Sequence, residues 1–99
     1  MRALAHADFL ARLERDVATV LGNRAVARIA HHRAVFEELE RDDFEHYIAE
    51  KLQQEILDTH ARPTWPACPA HPQHPLWYSA GAWRCRVDPA VTVALGGVP

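Results

Sequence analysis

The sequence predicts an α+β chain, with N-terminal antiparallel helices followed by a small three-stranded β tail. Three observations predict it. Between residues 8 and 59, apolar side chains recur at spacings of three and four, the period of a helix face. From Pro63 that period stops, and Pro63, Pro66, Pro69, Pro72 and Pro75 follow at every third position, which excludes helix. Beyond Leu76, short aromatic and β-branched runs alternate with turn residues. The predicted division is a helical domain over residues 1–62 and a β module over residues 63–99. A core of this size, rich in alanine and valine, gains from a staple, either a metal or a partner chain.

The first helix is predicted over residues 8–21. Phe9, Leu10, Leu13, Val17, Val20 and Leu21 form its apolar face, with Arg12, Arg15 and Asp16 assigned to the polar one. Asp8 is placed to cap its N-terminus, and Gly22-Asn23 to end it. A second helix is predicted from Asn23 to about Glu40, on the stripe Ala25, Val26, Ile29, Ala30, Phe36 and Leu39. The short link makes these two an antiparallel hairpin. A third is predicted from about Asp43 to Thr59, with Asp42 and Glu45 as a partial capping box, either separate from the second or continuous with it as one long bent rod. Its stripe is Phe44, Ile48, Leu52 and Ile56.

In the tail, Leu76-Trp77-Tyr78 and Ala82-Trp83-Arg84-Cys85 read as two strands joined by Ser79-Ala80-Gly81, and residues 91–95 as a third. The proline spacing also fits a polyproline II segment, but the residues between the prolines are metal-ligand types. Cys68-Pro69-Ala70-His71 has the two-residue spacing that lets a pair of ligands reach one ion from a tight turn, and Cys85-Arg86-Val87-Asp88 repeats that spacing. The hairpin between them folds back and brings the two turns together. Cys68, His71 and Cys85 are therefore predicted zinc ligands. His74 and Asp88 compete for the fourth place, with His74 preferred because imidazole is the commoner ligand of closed zinc sites. The metal-free alternative makes both cysteines buried thiols and the histidines turn residues. On the metal reading, zinc supplies the tail with about 10–16 kcal/mol of apparent binding free energy, and chelation melts the tail while leaving the helices formed.

With Gly81 before the second strand and Trp83-Arg84-Cys85 closing it, Cys68 to Leu95 resembles the zinc-ribbon family. The resemblance implies a zinc-ribbon-like module, and Asp88 departs from the cysteine or histidine a typical ribbon carries there. Ribbons serve nucleic-acid contact, protein docking and plain stabilisation, so the resemblance speaks to fold more than role. The Trp-Pro-x-Cys-Pro-x-His run at residues 65–71 also resembles the tails of short proteins from GC-rich bacteria.

Charge is divided along the chain. Residues 1–36 carry a net of +3 and residues 37–62 a net of -6, which suggests pairing between segments, within a chain or between chains. Charged residues interrupt the N-terminal apolar run and no stretch reaches membrane-span length, so the reading is cytoplasmic, with no membrane partner. In that compartment two cysteines favour thiolate ligation over a disulfide. His31, His32, Glu37, Glu38, Asp43 and His46 invite a carboxylate-bridged di-metal site, but the paired Glu-x2-His motifs of such sites are missing. No nucleophile–base pair, phosphate loop or cofactor motif is visible. The expected function is a small zinc-binding interaction or assembly module, an adaptor or scaffold without catalytic activity. It would engage a protein partner or its own copy through the third-helix stripe and exposed tryptophans among Trp65, Trp77 and Trp83, which on the other reading form, with Tyr78, the small core of the β module. The alternative is a nucleic-acid-binding regulatory protein that uses the ribbon with Arg12, Arg15, Arg24, Arg28 and Arg33.

Overall fold

The computed structural model describes residues 2–59 and 64–99. The expected boundary between residues 62 and 63, and Pro63 with it, lie outside them. The described chain is α+β, with three α-helices followed by a three-stranded antiparallel sheet. Helix α1 spans Arg2–Leu21, a single 3-10 turn covers Gly22–Arg24, α2 spans Ala25–Phe36 and α3 spans Arg41–Thr59. Strands β1, β2 and β3 are Trp77–Ser79, Ala82–Arg84 and Thr92–Ala94, in spatial order β1-β2-β3.

The first helix is longer than its predicted span. The alanines and leucine ahead of Asp8 are strong helix formers, so the helix already runs at Arg2. Asp8 is therefore an interior residue rather than a cap, paired across one turn with Arg12 at 3.2 Å. Gly22, at φ +57°, takes the left-handed conformation that stops α1, and α2 follows within a turn as a shorter helix. Helix α2 ends at Phe36, four residues before the expected Glu40, where Leu39 N–H turns back to Phe36 C=O at 3.0 Å. Helices α2 and α3 are thus separate. Asp42 and Asp43 sit inside the first turn of α3, where negative charge suits the N-terminal dipole.

Helix α3 packs on α1, on α2 and on β1. Its stripe Phe44, Ile48, Leu52 and Ile56 is fully buried within the chain, worth about 1.5–3 kcal/mol per side chain in transfer free energy. That stripe is consequently spent on the protein's own core and does not face outward as expected. The tryptophans are also corrected. Trp65 and Trp83 are buried and meet edge to face, centroids 5.6 Å apart, while half-buried Trp77 lies under the Arg86 guanidinium at 4.2 Å. They are buried because the sheet lays its Tyr78–Trp83 pair inward onto the helices, where Phe9 meets Tyr78 edge-on at 5.7 Å. Burial beside Glu45 pushes the Tyr78 phenol up to about 12, so it stays a donor.

One buried cluster thus draws on α1, α2, α3 and the tail together. Polar anchors inside it fix the tail. Asp16 is completely buried, contrary to its assignment to the polar face of α1. Its Oδ2 accepts Trp83 Nε1–H at 2.8 Å and Gly96 N–H at 2.7 Å, and its Oδ1 accepts Val98 N–H at 3.1 Å. Three donors replace the water a buried carboxylate loses. From α3, buried Gln53 donates through Nε2 to Leu76 C=O at 2.6 Å and Trp65 C=O at 3.2 Å. Trp65 Nε1–H reaches Thr19 Oγ1 at 3.1 Å.

Candidate metal centre

The prolines every third residue do not make an extended segment. Residues 66–76 double back on themselves. Leu76 N–H donates to Pro66 C=O at 2.7 Å, Cys68 N–H to His74 C=O at 3.1 Å, and His74 N–H to His71 C=O at 2.8 Å. Ala67 bridges Pro75 across the same pair of arms. None of the three donors is a proline: Cys68 and His74 lie between prolines and Leu76 directly follows Pro75, so Pro66, Pro69, Pro72 and Pro75 stiffen the loop without removing an N–H it needs. Cys68 and His71 thereby sit at the start of a closed turn.

The second turn leaves β2 directly. Cys85 N–H donates to Val91 C=O at 3.1 Å, and Val91 N–H to Asp88 C=O at 3.0 Å. Asp88 N–H points at Cys85 Sγ at 3.3 Å. This N–H and that of Val87 favour the thiolate and hold Cys85 below the ordinary thiol range, against the opposing effect of burial.

The hairpin β1–β2 carries the second turn back to the first. Cys68 Sγ and Cys85 Sγ each lie 3.5 Å from His71 Nδ1, and the three ligand atoms are all within 4.8 Å of one another. Both cysteines are buried and His71 is partly so. Hydrogen bonding alone accounts poorly for this convergence. A neutral imidazole nitrogen has one proton or one lone pair, so Nδ1 satisfies one sulfur and not both. A cation receiving a lone pair from each of the three atoms satisfies all of them. The group could hold a metal ion. Among the described residues it is the one such group of three.

His74 and Asp88 stand beside this group rather than within it. Exposed His74 sits with its ring centroid 6.1 Å from that of His71, and its backbone is tied to Cys68 and His71. The exposed Asp88 carboxylate accepts Ala90 N–H at 3.0 Å, capping the second turn.

No protein-family model, curated protein or solved structure matches this chain. The site is therefore read from its own chemistry.

The other candidate clusters resolve differently. His46 Nε2 pairs with Glu50 at 3.0 Å on one face of α3, and the His31 ring meets that of His32 edge-on at 5.1 Å. The basic residues of α1 and α2 are partly engaged, since Arg28 donates through Nε to both oxygens of Glu55 at 3.0 and 3.1 Å and through its terminal nitrogen as well. Arg28 holds the Glu55 carboxyl below its usual range. His32 Nε2 lies 3.7 Å from the same carboxylate, beyond hydrogen-bond reach, and burial pushes its pKa down.

Asp16 and Gln53, which seat the tail, escape a reading that assigns polar residues to solvent. A signal for Asp16 exists in retrospect. It stands three residues after Leu13 and four before Val20, inside the apolar face.

Proposed function

We propose that this chain is a zinc-stapled protein-interaction module without catalytic activity, and that its partner is a second copy of itself. The observation that carries the zinc reading is the convergence of Cys68, His71 and Cys85. A tetrahedral zinc, with bonds of about 2.3 Å to sulfur and about 2.0–2.1 Å to nitrogen, separates sulfur from nitrogen by about 3.6 Å. Both sulfur–nitrogen distances here are 3.5 Å. His74 or Asp88 supplies the fourth ligand after a side-chain rotation. The finer description, a helical hairpin bearing a zinc-ribbon-like tail, follows from that reading. The cytoplasm, which keeps thiols reduced, suits it.

The interaction reading rests on α2. It buries only Ala25 and Ile29, and leaves Val26 and Val35 each 62% exposed. Val26, Ala30 and Ala34 line a groove of about 380 Å³ against Leu10 and Ala11 of α1. Glu14, Arg33 and Glu37 line the same groove, and none enters an ion pair among the described residues. A two-fold copy presents the same mixture, so Arg33 of each chain can answer a glutamate of the other. Nucleic-acid binding is disfavoured by the engagement of Arg28 with Glu55.

Native mass spectrometry of the purified chain tests both parts together. One zinc per chain and a dimer are expected, with Val26→Glu plus Val35→Glu giving a monomer of unchanged helix content. A chain that stays monomeric at high concentration overturns the self-association. A chain that takes up no zinc overturns the staple.

A further inference from the structure

We propose that Cys68 and Cys85 are a redox modification site. A hydroperoxide converts the pair to an intrachain disulfide and expels the metal. The inference rests on the zinc reading and adds a reaction to it.

Cys68 and Cys85 are the two cysteines of the chain. Both are free, and their sulfurs lie within 4.8 Å of each other in the group centred on His71. A disulfide brings two sulfurs to about 2.05 Å. Each cysteine is held on a separate turn whose hydrogen bonds close within that turn, so side-chain rotation can supply the approach without opening either. The pair also sits at the margin of the core: Cys85 is 7% exposed against 1% for Cys68. This difference orders the steps. The Cys85 thiolate attacks the peroxide. A sulfur–oxygen bond forms, the oxygen–oxygen bond breaks, and hydroxide leaves to become water with one proton. The Cys68 thiolate then attacks the Cys85 sulfur. The sulfur–sulfur bond forms, the sulfur–oxygen bond breaks, and a second hydroxide leaves with a second proton as water. The thiolate pair gives up two electrons and the peroxide takes them. The metal loses both sulfur donors and retains only imidazole or carboxylate from the protein, so it dissociates. The covalent link spans the same two turns that the ion held together, so the tail stays closed after the metal has gone.

The test uses the full chain loaded with zinc and freed of reductant. Zinc content is measured first. Hydrogen peroxide is then added in small excess, with a chromogenic chelator reporting free zinc and intact mass spectrometry reporting the protein. The expected result is one zinc released per chain, with loss of the mass of two hydrogens and a peptide map joining residues 68 and 85. Dithiothreitol with added zinc should reverse it. Retained zinc, gain of oxygen mass without a disulfide, or cross-linked dimers in place of the intrachain bond would each overturn the proposal. Failure to take up zinc before the peroxide is added overturns the zinc reading instead, and the mass change still reports whether the two sulfurs join.

Discussion

Replacing Asp16 by asparagine changes one atom of one side chain and should be among the most damaging conservative substitutions in this protein. The carboxylate accepts three N–H groups, from Trp83, Gly96 and Val98. An amide has one acceptor oxygen. If that oxygen keeps Trp83 and Gly96, the new NH2 faces Val98 N–H, donor against donor. The two surviving bonds fall from charge-assisted to neutral, a loss of about 1 kcal/mol each, and the orphaned Val98 donor costs about 1–3 kcal/mol. Relief of the buried charge offsets part of this, so the net loss should be about 2–4 kcal/mol. At about 4–8 °C per kcal/mol for a chain of this size, Tm should fall by at least about 8 °C. Thermal melts followed by circular dichroism and tryptophan fluorescence would show it. Asp8→Asn is the control. It makes the same chemical change in an exposed pair with Arg12, where less than about 1 kcal/mol is at stake. Equal melting of Asp16→Asn and Asp8→Asn would refute the reasoning.

Other outcomes follow from the same geometry. Gln53→Leu fills the space but orphans the carbonyls of Leu76 and Trp65. A loss of about 2–4 kcal/mol in urea unfolding is expected, and a stability within error of the parent would contradict it. Ala80 and Gly81, both at positive φ, form the two-residue loop between β1 and β2. Ala80→Asn suits that turn and should raise stability by about 0.5–1 kcal/mol, read as a shift in urea midpoint with unchanged slope. His32 has a folded pKa below its unfolded value because of burial, so the unfolded chain binds the extra proton and stability falls as pH drops below about 6.5. His32→Asn should flatten the pH dependence of Tm below about 6.5, and an unchanged slope there would contradict the reasoning. Chelation should lower the temperature of one cooperative transition rather than melt the tail alone, because tail and helices share a core. Two well-separated transitions in calorimetry would contradict this.

The elements were legible where local pattern decides them. Period four in Phe44, Ile48, Leu52 and Ile56 marks α3, and Gly81 marks the hairpin turn. The convergence of Cys68, His71 and Cys85 was legible too, because spacing and an intervening hairpin are local facts. What the stripes pack against was not. The same apolar face serves a core or a partner, and only the placement of the tail decided for the core. Asp16 failed for a related reason. Its partners Trp83, Gly96 and Val98 lie 67, 80 and 82 residues away, and no local rule announces a donor at that separation. The early end of α2 was missed because Glu37, Glu38 and Glu40 are good helix formers, so local propensity carries the expected helix past Phe36.

The distance in sequence between Asp16 and Val98 bears on how the protein is made. A ribosome adding roughly 5–20 residues each second takes about 4–16 s to travel from one to the other. Until Trp83 is added, α1 carries a carboxylate in its apolar face with none of the three donors that answer it, and the set is complete only with Val98. The nascent helix must therefore hold that flank towards water or a chaperone. It can turn inward only when the last strand and the residues after it have emerged. Assembly of this small core waits on the synthesis of Val98.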